Sequence, residues 1–179
     1  ALFLAVVLAG NRLPGVAGVV RRIWSAVAAV YALVAVLVAF GGRTGGAVLL
    51  AMSVVVAVAG RRDAIARWVA AGFGAVGGAV YLSYSPPDLL FRAVELTTHS
   101  AVSTIIASIL AVASAVAVVW SWAGRRDDDE MRLMWAGAVV VAAYASTMST
   151  VTAGVLIGGV KGGFLAGHMV ATIGWIAVA

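Results

Sequence analysis

Ser85-Pro86-Pro87-Asp88-Leu89-Leu90-Phe91-Arg92-Ala93-Val94-Glu95-Leu96-Thr97-Thr98-His99-Ser100 leads directly into residues 101 to 122, a stretch with no ionisable side chain. About 20 such residues suffice to carry an α-helix across ~30 Å of hydrocarbon. The two prolines can occupy a first helical turn, whose N–H groups lack partners anyway, and Asp88 complements the positive end of the helix. At about 100° per residue, Asp88, Arg92, Glu95 and His99 would fall on one face. The stretch therefore predicts a charged-faced helix at the water boundary running into a membrane span.

Outward from this stretch the rest of the chain has the same character. Apolar residues make up 64% and charged residues 11% of the sequence, and mean hydropathy is +1.10. Soluble domains hold about 45–50% apolar and about 25% charged residues, so the composition belongs to a membrane protein. Apolar segments fall at 1–10, 23–41, 45–60, 64–84, 101–123, 133–158 and 163–179. These read as five complete spans and two partial ones, of which 45–60 is the shortest complete one. The runs are too long, and too little alternating, for barrel strands. Both ends lie inside apolar runs, which suggests an excerpt of a longer chain. With no cysteine, thiolate chemistry is excluded.

The connections are short and glycine-rich, as expected between antiparallel neighbours. Counted loop by loop, basic residues number 3, 1, 3, 1, 3 and 1: Arg12, Arg21 and Arg22; Arg43; Arg61, Arg62 and Arg67; Arg92; Arg125, Arg126 and Arg132; Lys161. The positive-inside rule places the loops at 11–22, 61–63 and 125–132 in the cytoplasm, with the plasma membrane as the expected location. This alternation accounts for the net charge of +5 without a nucleic-acid partner. The expected partners are the lipid bilayer and further transmembrane helices of the same or another chain. Ala71, Gly74, Ala75, Gly78 and Ala79 form small-residue rows suited to close helix packing.

Candidate chemistry concentrates on the side expected to face outward. Arg92, Glu95, His99 and His168 form a polar zone that could receive a lipid headgroup or polar substrate, Arg92 taking the anion and Glu95 or His99 a proton. The simpler alternative is a solvated helix face, with each imidazole satisfied locally. Haem ligated by His99 and His168 is a further alternative, although no pocket signature accompanies them. No cofactor or metal is otherwise expected. Asp127-Asp128-Asp129-Glu130 reads as a helix cap and dipole complement. No ionisable group lies at the centre of a complete span, which argues against a proton-coupling centre here. No phosphate loop, zinc spacing or nucleophile elbow occurs, so an enzyme is not the favoured reading.

Thr152-Ala153-Gly154-Val155-Leu156-Ile157-Gly158-Gly159, followed by Gly163-Phe164-Leu165-Ala166-Gly167-His168-Met169 and Trp175, resembles a segment of long actinobacterial many-span membrane proteins. These are catalogued as domain of unknown function 2339. His168 and Trp175 match a polar residue and a tryptophan seven positions apart in that family. The resemblance implies an envelope membrane protein and carries no catalytic motif.

The expectation is thus an all-α, polytopic transmembrane helical bundle spanning 1–179 as one region. It has about seven antiparallel helices, the first and last truncated, and one outer interfacial helix. Transport or lipid and envelope handling ranks first as function. A structural or assembly subunit ranks second, and a histidine-dependent membrane enzyme or haem carrier third.

Overall fold

The computed structural model describes residues 18–179, apart from the side chains of residues 19, 21 and 22, so the segment expected at 1–10 lies outside the described residues. The described chain is helical with no strand: α1 Gly18–Ala39, α2 Arg43–Ala59, α3 Ala64–Tyr84, α4 Thr98–Trp122, α5 Asp128–Gly158 and α6 Phe164–Val178. A π turn, Gly159–Gly163, joins α5 to α6 with no residue between them, so the described residues form five continuous helical stretches where seven helices were expected. Three runs are long and apolar enough to cross a membrane: Ala64–Tyr84, Thr98–Trp122 and Asp128–Val178. Ile23–Ala39 and Arg43–Ala59 are shorter apolar helices, and this corrects the expectation of five complete spans.

Local chemistry sets the helix starts. Asp63 Oδ1 accepts from Ile65 N at 2.8 Å, Thr97 Oγ1 from Ser100 N at 3.3 Å, and Asp127 Oδ1 from Glu130 N at 2.8 Å. Each side chain satisfies an amide that has no partner within its helix. Asp128, Asp129 and Glu130 follow in the first turn of α5, at its positive end.

The outer interfacial helix does not form. Pro87–Leu90 make one 3-10 turn, residues 91–97 are irregular, and α4 begins anew at its Thr97 cap. A helical turn this short is marginal on its own, and the Thr97–Thr98 start supplies a capped alternative a few residues later. Asp88, Arg92, Glu95 and His99 therefore do not share a helix face.

α4 is the central helix and packs against α2, α3 and α5. The interior consists largely of small residues. Ala70, Phe73 and Gly77 of α3 and Ala107, Ser108, Ala111 and Ser114 of α4 are buried. A Cβ on Gly77 would stand 3.0 Å from the Leu50 amide, so glycine is what lets α3 approach α2. Hydroxyls tie the layers together: Ser114 Oγ donates to Ser53 Oγ at 2.8 Å, and Ser53 Oγ to the Ala70 carbonyl at 2.8 Å. Ser108 Oγ gives its proton to the Thr104 carbonyl, which leaves Tyr81 as the donor in their 2.8 Å contact.

α5 and α6 fold back on each other. Gly159 (φ 76°, ψ 175°) occupies backbone space that only glycine enters readily. A Cβ on Gly154 would collide with the Gly163 carbonyl and stand 3.1 Å from Gly167 Cα. Residues nine and thirteen positions apart would be separated by about 13 and 20 Å along a straight helix. The two arms thus meet backbone to backbone, with glycine on both sides.

Candidate functional site

The helix ends sort into two groups, matching the alternation of basic residues. The 43, 85–100 and 159–168 regions meet at one end: Arg43 reaches Ser100 and Thr104, and His168 reaches Leu90. The 61–67 and 120–126 regions meet at the other, where Arg61 lies over Trp120 and Arg67 over Trp122.

At the first end, Arg43 opens α2 directly after the Gly42 turn (φ 68°). Its Nη1 donates to the Ser100 carbonyl at 3.3 Å and to Thr104 Oγ1 at 3.4 Å, and its guanidinium carbon lies 5.7 Å from the Tyr84 ring centroid. All of these acceptors are neutral. A cavity of about 30 Å³ is bordered by Arg43, Tyr84, Arg92, Thr104, Thr152 and Phe164, among others. Its polar lining residues come from five segments: the start of α2, the end of α3, the 85–97 connection, α4 and α5.

Arg92 pairs with Asp88 at 3.8 Å, and both side chains are largely in solvent, at 73% and 51% exposure. Screening leaves such a pair little hold on the arginine. The cavity is therefore bordered by two arginines, one without a carboxylate and one loosely held. Its volume admits one or two waters.

Only part of the expected polar zone gathers here. Glu95 and His99 are exposed, do not border the cavity, and make no hydrogen bond or ion pair with the described residues. His168 is half-buried. Its Nε2 donates to the Leu90 carbonyl at 2.9 Å, which places the neutral ring's proton on that nitrogen, and its ring lies edge-on to Phe164 at 4.7 Å. His168, Thr172 and Trp175 line a second, open cavity of about 380 Å³ against Thr147 of α5. His99 borders neither of these cavities. Among the described residues, no three His, Asp or Glu side chains are grouped as metal ligands.

A third feature is apolar. α3 and α5 both flank α4 without substantial contact with each other. The gap is a groove of about 490 Å³, whose α3 wall is Ala71, Gly74, Ala75 and Gly78. Of these, Gly74 also abuts the Ser53 and Ser114 hydroxyls, whereas Ala79 is exposed and outside the groove. The Tyr81–Tyr144 ring pair, 6.1 Å apart, and the hydrogen bond from Tyr144 to the Ser85 carbonyl close its upper end.

Sequence reasoning missed Arg43, which stood as a lone basic residue in its loop. The glycine pairs on either side, Gly41-Gly42 and Gly45-Gly46, were the available signal: Gly45 and Gly46 are buried where α2 begins, and a Cβ on Gly46 would stand 2.9 Å from Val80 Cγ1. No protein-family model, curated protein or solved structure matches the chain.

Proposed function

We propose that this chain is a multi-pass module of the plasma membrane that handles anionic lipid, receiving a phosphate-bearing headgroup in the outer-leaflet cavity between Arg43 and Arg92. The supporting observation is that cavity, which Arg43 and Arg92 border together with Thr104 and Thr152, and where Arg43 has no carboxylate. Arg43 is the fixed element, tethered through its helix start and two neutral acceptors. Arg92 is the movable one, able to close over the bound group. His168 has a positioning role: its bond to the Leu90 carbonyl ties α6 to the segment that carries Arg92. The resemblance of Thr152–Trp175 to actinobacterial envelope proteins agrees with this reading. The positive-inside assignment puts the cavity in the outer leaflet.

The test is thermal unfolding of the full chain in detergent as phosphatidylglycerol or phosphatidylcholine is added. Phosphatidylglycerol raises the midpoint of the wild type, and phosphatidylcholine does not. One charge-assisted hydrogen bond contributes about 1.5–3 kcal/mol, so Arg43→Gln with Arg92→Gln raises the half-saturating phosphatidylglycerol fraction at least about tenfold. An unchanged titration in that double variant removes the proposal.

A further inference from the structure

The opposite end carries a second cluster of cations. Arg61 lies over the Trp120 ring at 3.9 Å, Arg67 over Trp122 at 5.0 Å, and Arg126 over Trp122 at 4.7 Å. Trp68 closes the group edge-on to Trp122 at 5.1 Å. Arg67 is buried, at 8% exposure, and Trp122 at 7%.

The carboxylates do not balance this charge. The first acidic residue in the sequence is Asp63, so no acid lies among residues 1–62. Asp63 caps α3 and Asp127 caps α5; Glu130 pairs with Arg126 at 2.8 Å and Asp129 with Arg132 at 3.5 Å. Neither Arg61 nor Arg67 has a carboxylate partner among the described residues. Arg67 Nη1 donates to the Arg61 carbonyl at 3.0 Å, and the Arg61 side chain makes no hydrogen bond with the described residues. The Nε atoms of both arginines are buried without a hydrogen-bond partner among the described residues.

A guanidinium nine-tenths buried and lacking a counter-anion is costly, and indole faces compensate only part of a full charge. Stacking on indole leaves the planar edge of a guanidinium for hydrogen bonding, and that edge fits an oxyanion through two parallel bonds. The three tryptophans mark the depth at which aromatic side chains meet lipid headgroups, so the oxyanion at hand there is phosphate. We propose that Arg61 and Arg67, backed by Trp120 and Trp122, form a second site that binds a phosphate group, supplied by an anionic lipid headgroup of the leaflet at this end or by free phosphate. Half-buried Arg61 offers its fork to the ligand, and buried Arg67 supplies the charge behind it.

The experiment uses full-length protein carrying Arg43→Gln and Arg92→Gln, so that loss of the first site cannot be confused with loss of this one. Thermal unfolding and native mass spectrometry are followed with phosphatidylglycerol, phosphatidylcholine, and sodium phosphate against sodium chloride at equal ionic strength. One phosphatidylglycerol is retained and raises the midpoint. Adding Arg61→Gln, a half-buried position that spares the fold, raises its half-saturating fraction at least about tenfold, whereas Arg61→Lys recovers only part of the affinity. Stabilisation by phosphatidylglycerol but not by sodium phosphate identifies the lipid as the source, and stabilisation by sodium phosphate identifies the free ion. No response to either, or equal phosphatidylglycerol binding with and without Arg61→Gln, overturns the site.

Discussion

Placing one methyl group at Gly154 tests the fold where it is tightest. In the α5–α6 hairpin the three atoms nearest a Cβ at this position are all backbone: the Gly163 carbonyl, the Gly167 amide at 3.0 Å and Gly167 Cα at 3.1 Å. Backbone cannot swing aside as a side chain does, so Gly154→Ala forces the arms apart. Gly174 in α6 is the matched control, because a Cβ there meets nothing within 4 Å. Both substitutions gain about 0.5–1 kcal/mol from replacing glycine within a helix. Subtracting one from the other cancels that gain and leaves the steric cost, about 1–3 kcal/mol for overpacking a tight contact.

Unfolding titrations of the two variants in mixed micelles measure this difference. Gly174→Ala should match or slightly exceed the wild type, with Gly154→Ala lying about 1–3 kcal/mol below it. Parting the arms also disturbs Phe164 and His168, so Gly154→Ala should weaken phosphatidylglycerol stabilisation while Gly174→Ala preserves it. Equal stability of the two variants would refute the backbone contact and with it the reversal at Gly159.

Three further outcomes follow from single contacts. Tyr144→Phe strands the carbonyl of Ser85, a residue only 2% exposed, and should cost about 1–3 kcal/mol in the same titration. Asp127→Ala removes the cap that Glu130 N uses and should cost about 1 kcal/mol, whereas Asp127→Asn should cost much less. The natural chain has no cysteine, so single cysteines replacing Arg62, Arg126, Arg43 and Lys161 report sidedness directly. A membrane-impermeant thiol reagent applied to intact cells should modify positions 43 and 161 and spare 62 and 126; the reverse pattern inverts the topology.

The apolar helices and the sorting of their ends were legible because both rest on coarse quantities, the length of uncharged runs and the count of arginines, although run length counted five complete spans where three helical stretches are long and apolar enough to cross a membrane. The structure places Arg43 with Ser100 and Arg61 with Trp120, as that sorting requires. The helix expected over 85–99 was not legible, because a shared face presupposes the helix it is meant to show. Thr97 offered a competing cap, and the sequence carried no measure of which start was stronger. The glycine pairing in α5–α6 was hidden for another reason. With 21 glycines in the chain, small-residue rows occur on many faces, and only the turn at Gly159 brings Gly154 against Gly163 and Gly167. Arg61 and Arg67 were counted as loop charges, although Arg67 lies buried in the first turn of α3, and counting could not show that tryptophan, and not carboxylate, would receive them.

The use of the seven acidic residues ties the two proposed sites together. Asp63 and Asp127 cap helices, and Asp88, Asp129 and Glu130 pair with the arginines nearest them in sequence. Glu95 and Asp128 are exposed, their side chains without a hydrogen bond or ion pair among the described residues. Every acid with a partner thus serves its own turn of chain, and none bridges two helices. Arg43, Arg61 and Arg67, by contrast, all make contacts across helices or at their junctions, with neutral oxygens or aromatic rings as partners. In a soluble protein such an allocation would leave buried charge uncompensated. On the proposed reading the missing anions are lipid phosphates, which the field of an anionic leaflet concentrates near such arginines. The excess of arginine over carboxylate at each end would then be a binding property, because the positions left without a carboxylate are those that reading assigns to headgroups.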